Sequence, residues 1–241
     1  MKVFARFLVT LAILWAGAGF PAGNAFAQAY QCKAPARVSV PPVQRHGPVR
    51  VMPVTGYTLA ASWSPEFCRT RARQASHARQ CSGRSGRFGM VLHGLWPDGR
   101  GGRWPQWCPT ARQPSPTLLG AQMCRSPSAR LAARQWAKHG ACMVRRPETY
   151  FKASGILWNS LRWPDLDRLS REDGLTAGVL RQRFADANPP FQPSMVGIRA
   201  NARGWLQEVR LCYGRDFMPV RCDRTRYGLA DNAPLKIWRG L

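Results

Sequence analysis

Two of the chain's four histidines lie in short segments crowded with groups that can move protons. One is Leu92-His93-Gly94-Leu95-Trp96-Pro97-Asp98 and the other Gln135-Trp136-Ala137-Lys138-His139-Gly140-Ala141-Cys142. Imidazole titrates near neutral pH, so a pair can hold one proton between them and serve as acid and base in one reaction. A lysine beside one of them adds a cation where negative charge develops. Two imidazoles and a lysine are enough for proton transfer around a phosphate without a metal. Trp96 could present an indole face to a ligand or pack into the core, and Asp98 fits an Asp-Gly turn.

The elements that must position these residues can be read from pattern. Arg87 to His93 reads as a strand, with Phe88, Met90 and Leu92 on one face and Val91 and His93 on the other. Gly94 is expected to end it, and Pro97-Asp98-Gly99 with Gly101-Gly102 to open a loop. An earlier strand runs from Tyr57 to Ser64. Helices are expected at about 115–123, 128–141, 148–162 and 175–187, the last stopped by Asn188-Pro189-Pro190. On the second of these, Gln135, Lys138 and His139 stand at i, i+3 and i+4 and so share one face, while Trp136 points away as a core anchor. Arg134 precedes that face by one residue and either binds phosphate or is solvated. Strands around Met195–Ala200 and Trp205–Tyr213 precede a turn at Gly214-Arg215-Asp216 and a short strand to Cys222. The mixture is an α+β fold with no internal repeat.

Composition narrows the setting. Lys2 and Arg6, an apolar run from Phe7 to Phe20 and Ala25-Phe26-Ala27 read as a secretory signal peptide over residues 1–27, too short and too broken by Gly17, Gly19 and Pro21 for a membrane span. Cleavage after Ala27 leaves 214 of 241 residues and lowers the formal charge from +24 to +22, through loss of Lys2 and Arg6. That length suits one domain with its own core. Residues 28–55, with Pro41-Pro42, Pro48 and Pro53, form an extended Pro-rich arm that is tied down only if Cys32 finds a partner, and residues 56–241 form the domain proper. Eight cysteines, an even number, fit disulfides in an oxidising compartment, secreted or periplasmic. They show no Cys-x-x-Cys or clustered Cys/His spacing, so neither a metal nor a cofactor is expected. The arginine-rich excess of positive charge suits a polyanionic partner, although a GC-rich coding sequence also produces arginine. His46 in the arm and His77 in the basic loop between Cys68 and Cys81 read as solvated surface. The remaining tryptophans serve the core or the walls of a groove; spacing leaves both open.

The His-Gly-Leu-Trp-Pro run, and the Trp-x-Lys-His-Gly-x-Cys run some forty residues later, resemble the two active-site segments of the ribonuclease T2 family. Trp63-Ser64-Pro65-Glu66-Phe67-Cys68 resembles that family's first strand and cysteine, and Leu206-Gln207-Glu208-Val209-Arg210-Leu211-Cys212-Tyr213 its late strand. The resemblance spans about residues 57–222 and leaves the arm outside. It implies a central antiparallel sheet flanked by helices and stapled by disulfides. It further implies an RNA endonuclease, working without metal, in which the ribose 2′-hydroxyl attacks the adjacent phosphorus to give a 2′,3′-cyclic phosphate and then a 3′-phosphate. His139 would be the base, His93 the acid and Lys138 the phosphate stabiliser, with the acid and base labels open to exchange. Trp96 and Asp98 would border a base site. Cys68–Cys81 and Cys108–Cys142 follow from the same resemblance, Cys212–Cys222 would close a hairpin-like turn, and elimination leaves Cys32–Cys124.

Two positions depart from the family pattern. Gln135 stands where glutamate is usual, and Arg134 where histidine is common. Gln135 can accept or donate a hydrogen bond but carries no charge, which should lower the pKa of His139 relative to a glutamate-bearing relative. The leading expectation is an exported endoribonuclease with low base specificity, acting on RNA and not DNA, as a monomer. The second is a catalytically weak polyanion-binding protein on the same scaffold, and a membrane-active cationic protein ranks last because no strongly amphipathic basic helix stands out. Substituting both His93 and His139 separates the first two, since only an enzyme loses turnover while keeping salt-sensitive RNA binding.

Overall fold

Strand β2 (Gly56–Trp63) is the spine of the sheet, and its side chains are buried at six of eight positions, as suits a strand with neighbours on both edges. The structure is a computed structural model that describes residues 29–239; the expected signal peptide at 1–27 lies outside the described residues. Strand β1 (Ala29–Tyr30) pairs with β3 (Arg87–Phe88) in a small separate ribbon. The main sheet is antiparallel throughout, in the order β4 (Met90–Asp98), β2, β6 (Leu206–Tyr213), β5 (Val196–Ala200). The helices are α1 (Ser64–Cys68), α2 (Ala78–Cys81), α3 (Pro116–Gly120), α4 (Ala129–Lys138), α5 (Pro147–Ser160), α6 (Leu166–Leu169), α7 (Ala177–Ala187) and α8 (Arg224–Tyr227). Leu59, Leu95, Trp136, Tyr150, Trp158, Phe184 and Ile198 belong to a large apolar cluster between sheet and helices.

The expectation that Gly94 ends the second strand is wrong. β4 continues through Gly94 to Asp98, because β2 pairs with it all the way from Trp63↔Met90 to Gly56↔Asp98. What happens near Gly94 is a bulge. The register steps from Ala60↔Gly94 to Ala61↔Leu92, leaving His93 as the unpaired extra residue. Bulges re-aim a side chain that regular alternation would fix, and here the side chain is His93. Asp98 is therefore the last residue of a strand and not part of an open turn.

β4 is an edge strand, and its outer backbone groups must be satisfied if helices are to cover them. The hydroxyl of Tyr150, on α5, accepts from the Leu95 N–H and donates to the Leu95 carbonyl, both at 3.2 Å. The Leu92 N–H is taken by the carbonyl of Arg125 at 2.6 Å. With those groups closed, α4 seats directly on the strand at Gly94.

The helix expected over 128–141 is shorter. Ser128 caps its start by accepting from the Leu131 N–H. It ends at Lys138, with His139 (φ −119°, ψ −50°) as its C-cap, before a single 3-10 turn at Gly140–Cys142. The cause is packing: Gly140 lies so close to Trp136 and Tyr150 that a β-carbon would sit 2.7 Å from both rings. The Lys138 carbonyl, freed at the helix end, is taken by the Trp107 N–H at 2.8 Å. Trp107 holds a positive φ of 57°, unusual for a bulky residue and maintained by that bond and by its indole N–H on the His46 carbonyl. The helix expected over 115–123 reduces to α3, and the short strand to Cys222 reduces to one bridge, Tyr213↔Pro219, since Pro219 cannot donate to a ladder. The loop between Cys68 and Cys81 contains a 3-10 turn (Ala75–His77) and α2.

Four disulfides join Cys32–Cys124, Cys68–Cys81, Cys108–Cys142 and Cys212–Cys222. The arm is held at more points than Cys32. Val38 donates to the Pro116 carbonyl, Arg50 and Gln106 exchange a pair of backbone hydrogen bonds, and the Pro48 carbonyl takes the Gln106 amide.

A β-carbon at Gly94 would collide with the Gln135 amide oxygen and lie 2.9 Å from the Trp96 indole nitrogen. Gly94→Ala is expected to destabilise the fold by about 1–3 kcal/mol, as overpacking does. Urea unfolding measures it, and an unchanged midpoint would refute the claim that α4 is seated there.

Candidate active site

The bulge on β4 turns the His93 ring toward Glu208 of β6, with Nδ1 2.8 Å from Oε2. Register explains the meeting: Ser62 pairs with Val91 on one side and Glu208 on the other, so the extra residue after Leu92 reaches across β2. Burial alone would push the Glu208 carboxyl up, but the hydrogen bonds and charges of His93 and Arg210 outweigh it and hold its pKa below the usual value. An ionised carboxylate only accepts, so the proton of this bond sits on Nδ1 and Nε2 is left for chemistry. Arg210 binds the second oxygen of Glu208 at 2.7 Å and lies 5.3 Å from the centre of the Trp96 ring.

His139 has the opposite surroundings. It is 5% exposed, and its Nδ1 finds no hydrogen-bond partner among the described residues. Its pKa is driven well below 6.5, first by burial and then by the positive charge of Lys138, His93 and Arg134. An imidazolium would add a second N–H donor with nothing to receive it, which disfavours protonation further. Lys138 is lowered as well, by burial and by Arg134 and Arg50.

Between the two imidazoles stands Trp96, its ring 5.2 Å from His93 edge-on and 5.6 Å from His139. Its indole N–H donates to the Gln135 amide oxygen at 2.7 Å. Gln135 is buried, and its amide oxygen is committed to accepting from the Trp96 indole. Trp96 is thus neither a plain core residue nor a freely exposed platform; it is half-buried and spaces the histidines.

Asp98 accepts from the Thr58 hydroxyl at 3.0 and 3.1 Å and forms an ion pair with Arg226 of α8. Burial raises its pKa against the pull of Arg226 and Thr58. Arg134 is half-buried over the Trp107 ring at 5.3 Å and donates to the Gln44 carbonyl at 3.4 Å, so its contacts run to the arm. Trp136 is fully buried, its indole N–H on the Arg112 carbonyl. His77 is half-buried against Phe67 instead of solvated, while His46 is exposed.

Two adjoining clefts open on this arrangement. One, of about 490 Å³, is bordered by His93, Ser62, Glu208, Arg69 and Arg71. The other, of about 430 Å³, is bordered by His139, Lys138, Trp96, Asp98, Trp104 and Arg226. Arg199 and Arg210 belong to both. Sequence reasoning missed Glu208, Arg210, Arg226 and Trp104 as site residues. Glu208 was the legible one: a carboxylate among apolar residues on a strand is rarely buried without a purpose. Among the described residues no group of three or more His, Cys, Asp and Glu side chains is placed to hold a metal ion.

The sequence profile of the ribonuclease T2 family matches residues 55–177, just over half of the chain. A probable ribonuclease of Haemophilus influenzae is 31% identical over 181 residues, 70% of this chain and 61% of that protein, so the chain spans about three fifths of that relative's length. A ribonuclease of Aeromonas hydrophila is 38% identical over 86 residues, 36% of each chain. Among solved structures, trichomaglin, an S-like ribonuclease, superimposes with a TM-score of 0.62 at 18% identity, over 77% of this chain and 98% of its own. RNase NT in complex with 5′-AMP gives 0.58 at 16% identity with the same coverage. The chain belongs to the ribonuclease T2 family.

A depressed His139 pKa has a consequence for stability. The unfolded chain takes up the proton at about pH 6.5 and the folded chain only further down. The stability His139 contributes is therefore complete above pH 6.5 and is lost as pH falls toward its folded value. Proton NMR is expected to show the His139 ring titrating well below 6.5, with Gln135→Glu moving it upward. A midpoint at 6.5 or above in the wild-type protein would overturn this account.

Proposed function

We propose that the protein is an exported, metal-independent endoribonuclease that cleaves single-stranded RNA through a 2′,3′-cyclic phosphate to 3′-phosphate ends. The observation that carries this reading is the pair of imidazoles on either side of Trp96 with opposite environments, one bonded to a carboxylate and one buried without a partner. A base must be neutral at working pH, which suits His139; an acid must present a proton from an oriented ring, which suits His93 with Glu208 at Nδ1. His139 takes the 2′-hydroxyl proton, the 2′-oxygen bonds to phosphorus, the P–O5′ bond breaks, and His93 protonates the departing 5′-oxygen. Lys138 stabilises charge on the phosphoryl oxygens. Water then enters with the two roles reversed and opens the cyclic ester. DNA lacks the 2′-hydroxyl and is not cleaved.

Gln135 does not disable this scheme, because the oxygen it presents to the Trp96 indole needs no charge. Low base specificity follows from the cleft walls. Trp96 and Trp104 offer ring faces that stack any base, while Asp98 is engaged by Thr58 and Arg226. The nucleotide complexes of RNase NT with 5′-AMP and of an RNase MC1 mutant with 5′-UMP support a nucleotide-sized site on this fold. A secreted or periplasmic location is the reading of the leader, the four disulfides and the family; among the described residues no helix is long and apolar enough to cross a membrane.

The purified protein is expected to cleave single-stranded RNA in EDTA and leave cyclic phosphate ends by mass spectrometry. His93→Ala and His139→Ala should each lose at least about 10²-fold in rate, the scale of general acid or base catalysis. Intact RNA bound in a salt-dependent way would instead favour the catalytically weak binding protein. Glu208→Gln is expected to lower kcat by about tenfold to hundredfold, less than the loss of His93 itself, with little change in KM. A kcat equal to wild type would remove Glu208 from the mechanism.

A further inference from the structure

The arm brings positive charge to the edge of the His139 cleft. Residues 28–55 contain no Asp or Glu, and between Gln28 and Pro147 the chain has only two carboxylates, Glu66 and Asp98. Both are engaged, Glu66 by Arg69 and Asn201 and Asp98 by Arg226 and Thr58. The backbone pairing of Arg50 with Gln106 sets the Arg50 side chain against Trp104, where its guanidinium donates to the Trp104 carbonyl at 2.8 Å and lies 5.5 Å from the ring centre. Trp104 is exposed and walls the His139 cleft next to Lys138. One residue beyond Gln106, Trp107 binds the Lys138 carbonyl and carries Arg134 over its ring. Arg50, Arg134 and Lys138 thus surround the 104–107 segment, all half-buried, and none forms an ion pair among the described residues. Burial, and then repulsion by Arg134 and Arg50, lowers the pKa of Lys138. Three like charges held together by backbone pairing and a disulfide, with no anion from the protein, lack a counter-ion that a ligand can supply.

We infer that Arg50, delivered by the N-terminal arm beside Trp104 and Lys138, binds a second phosphodiester of the RNA strand, the one on the 5′ side of the scissile phosphate. This rests on the proposed function, because direction follows from His139 as base. The nucleoside that gives up its 2′-proton lies on the His139 side, and its own 5′-phosphate continues past Trp104 toward Arg50. His93 and the other cleft face the leaving nucleoside. Arg50 lies outside residues 55–177, the part of the chain that the family profile matches.

The test compares three short substrates, ApA, pApA and ApAp, for the wild-type protein and Arg50→Gln. A 5′-phosphate is expected to raise kcat/KM in the wild type by up to about tenfold, as a charge-assisted contact does. In Arg50→Gln that gain should fall to less than about threefold, with Arg50→Lys in between. No gain from the 5′-phosphate, an equal gain in both proteins, or a gain with ApAp in place of pApA would each overturn the inference while leaving cleavage of ApA, and hence the proposed function, standing. If the wild type cleaves none of the three, the proposed function fails first. Binding of an uncleavable single-stranded 2′-deoxy oligonucleotide then decides on Arg50: its salt slope should drop by about 0.7 in Arg50→Gln if one phosphate contact is lost, and an unchanged slope overturns the contact.

Discussion

The close seating of helix α4 on the edge strand β4 is the constraint from which the site follows. Gly94 has no side chain, and Gln135 fills the space with an amide whose oxygen receives the Trp96 indole. That contact fixes the distance between the element carrying His93 and the one carrying Lys138 and His139. It is possible only because the outer edge of β4 is already satisfied by Tyr150 and by the Arg125 carbonyl. Unpaired backbone groups at that depth would each cost on the order of 1–3 kcal/mol and would draw water to the place where the helix now packs. The Cys108–Cys142 bridge and the Trp107–Lys138 hydrogen bond hold the far end of the same helix, just where it unwinds into His139.

Electrostatics divides the two histidines, although both sit in a strongly cationic molecule. Glu208 gives His93 a carboxylate at 2.8 Å and is itself kept ionised by Arg210. His139 has no such partner at Nδ1, is buried, and feels the positive charge of Lys138, His93 and Arg134. Two chemically identical rings therefore have different partners, and burial with neighbouring positive charge holds His139 toward its neutral form. The uneven distribution of carboxylates along the chain is what makes this possible: almost all of them fall after Pro147, leaving the arm and α4 with uncompensated charge.

Much of this was legible in the sequence. The ordered pair of histidine segments, Lys138 beside His139, the α+β mixture and the approximate position of every main strand and helix follow from residue type and period. The errors have a common physical origin. Gly94 reads as a strand breaker when propensity alone is weighed, yet pairing with β2 on one side overrides it and turns the irregularity into a bulge. Helical period extends α4 through His139, but contact of Gly140 with Trp136 and Tyr150 stops the helix at Lys138. The partner of Glu208 was not legible, since nothing in its local sequence says that a histidine 115 residues away will meet it.

The sequence by itself determined which chemical groups are present and the family to which the chain belongs, because these depend on residue types at short spacings. Only the tertiary structure decided how each group is used. It assigned Glu208 to His93, set Trp96 between the rings, committed Gln135 to the indole and Asp98 to Arg226, and laid the arm against the 104–107 segment. The reason is that proton affinity and hydrogen-bond partnership depend on burial and on charges brought near through space. Those neighbours come from segments far apart in the chain, and their spacing along it carries no record of the meeting.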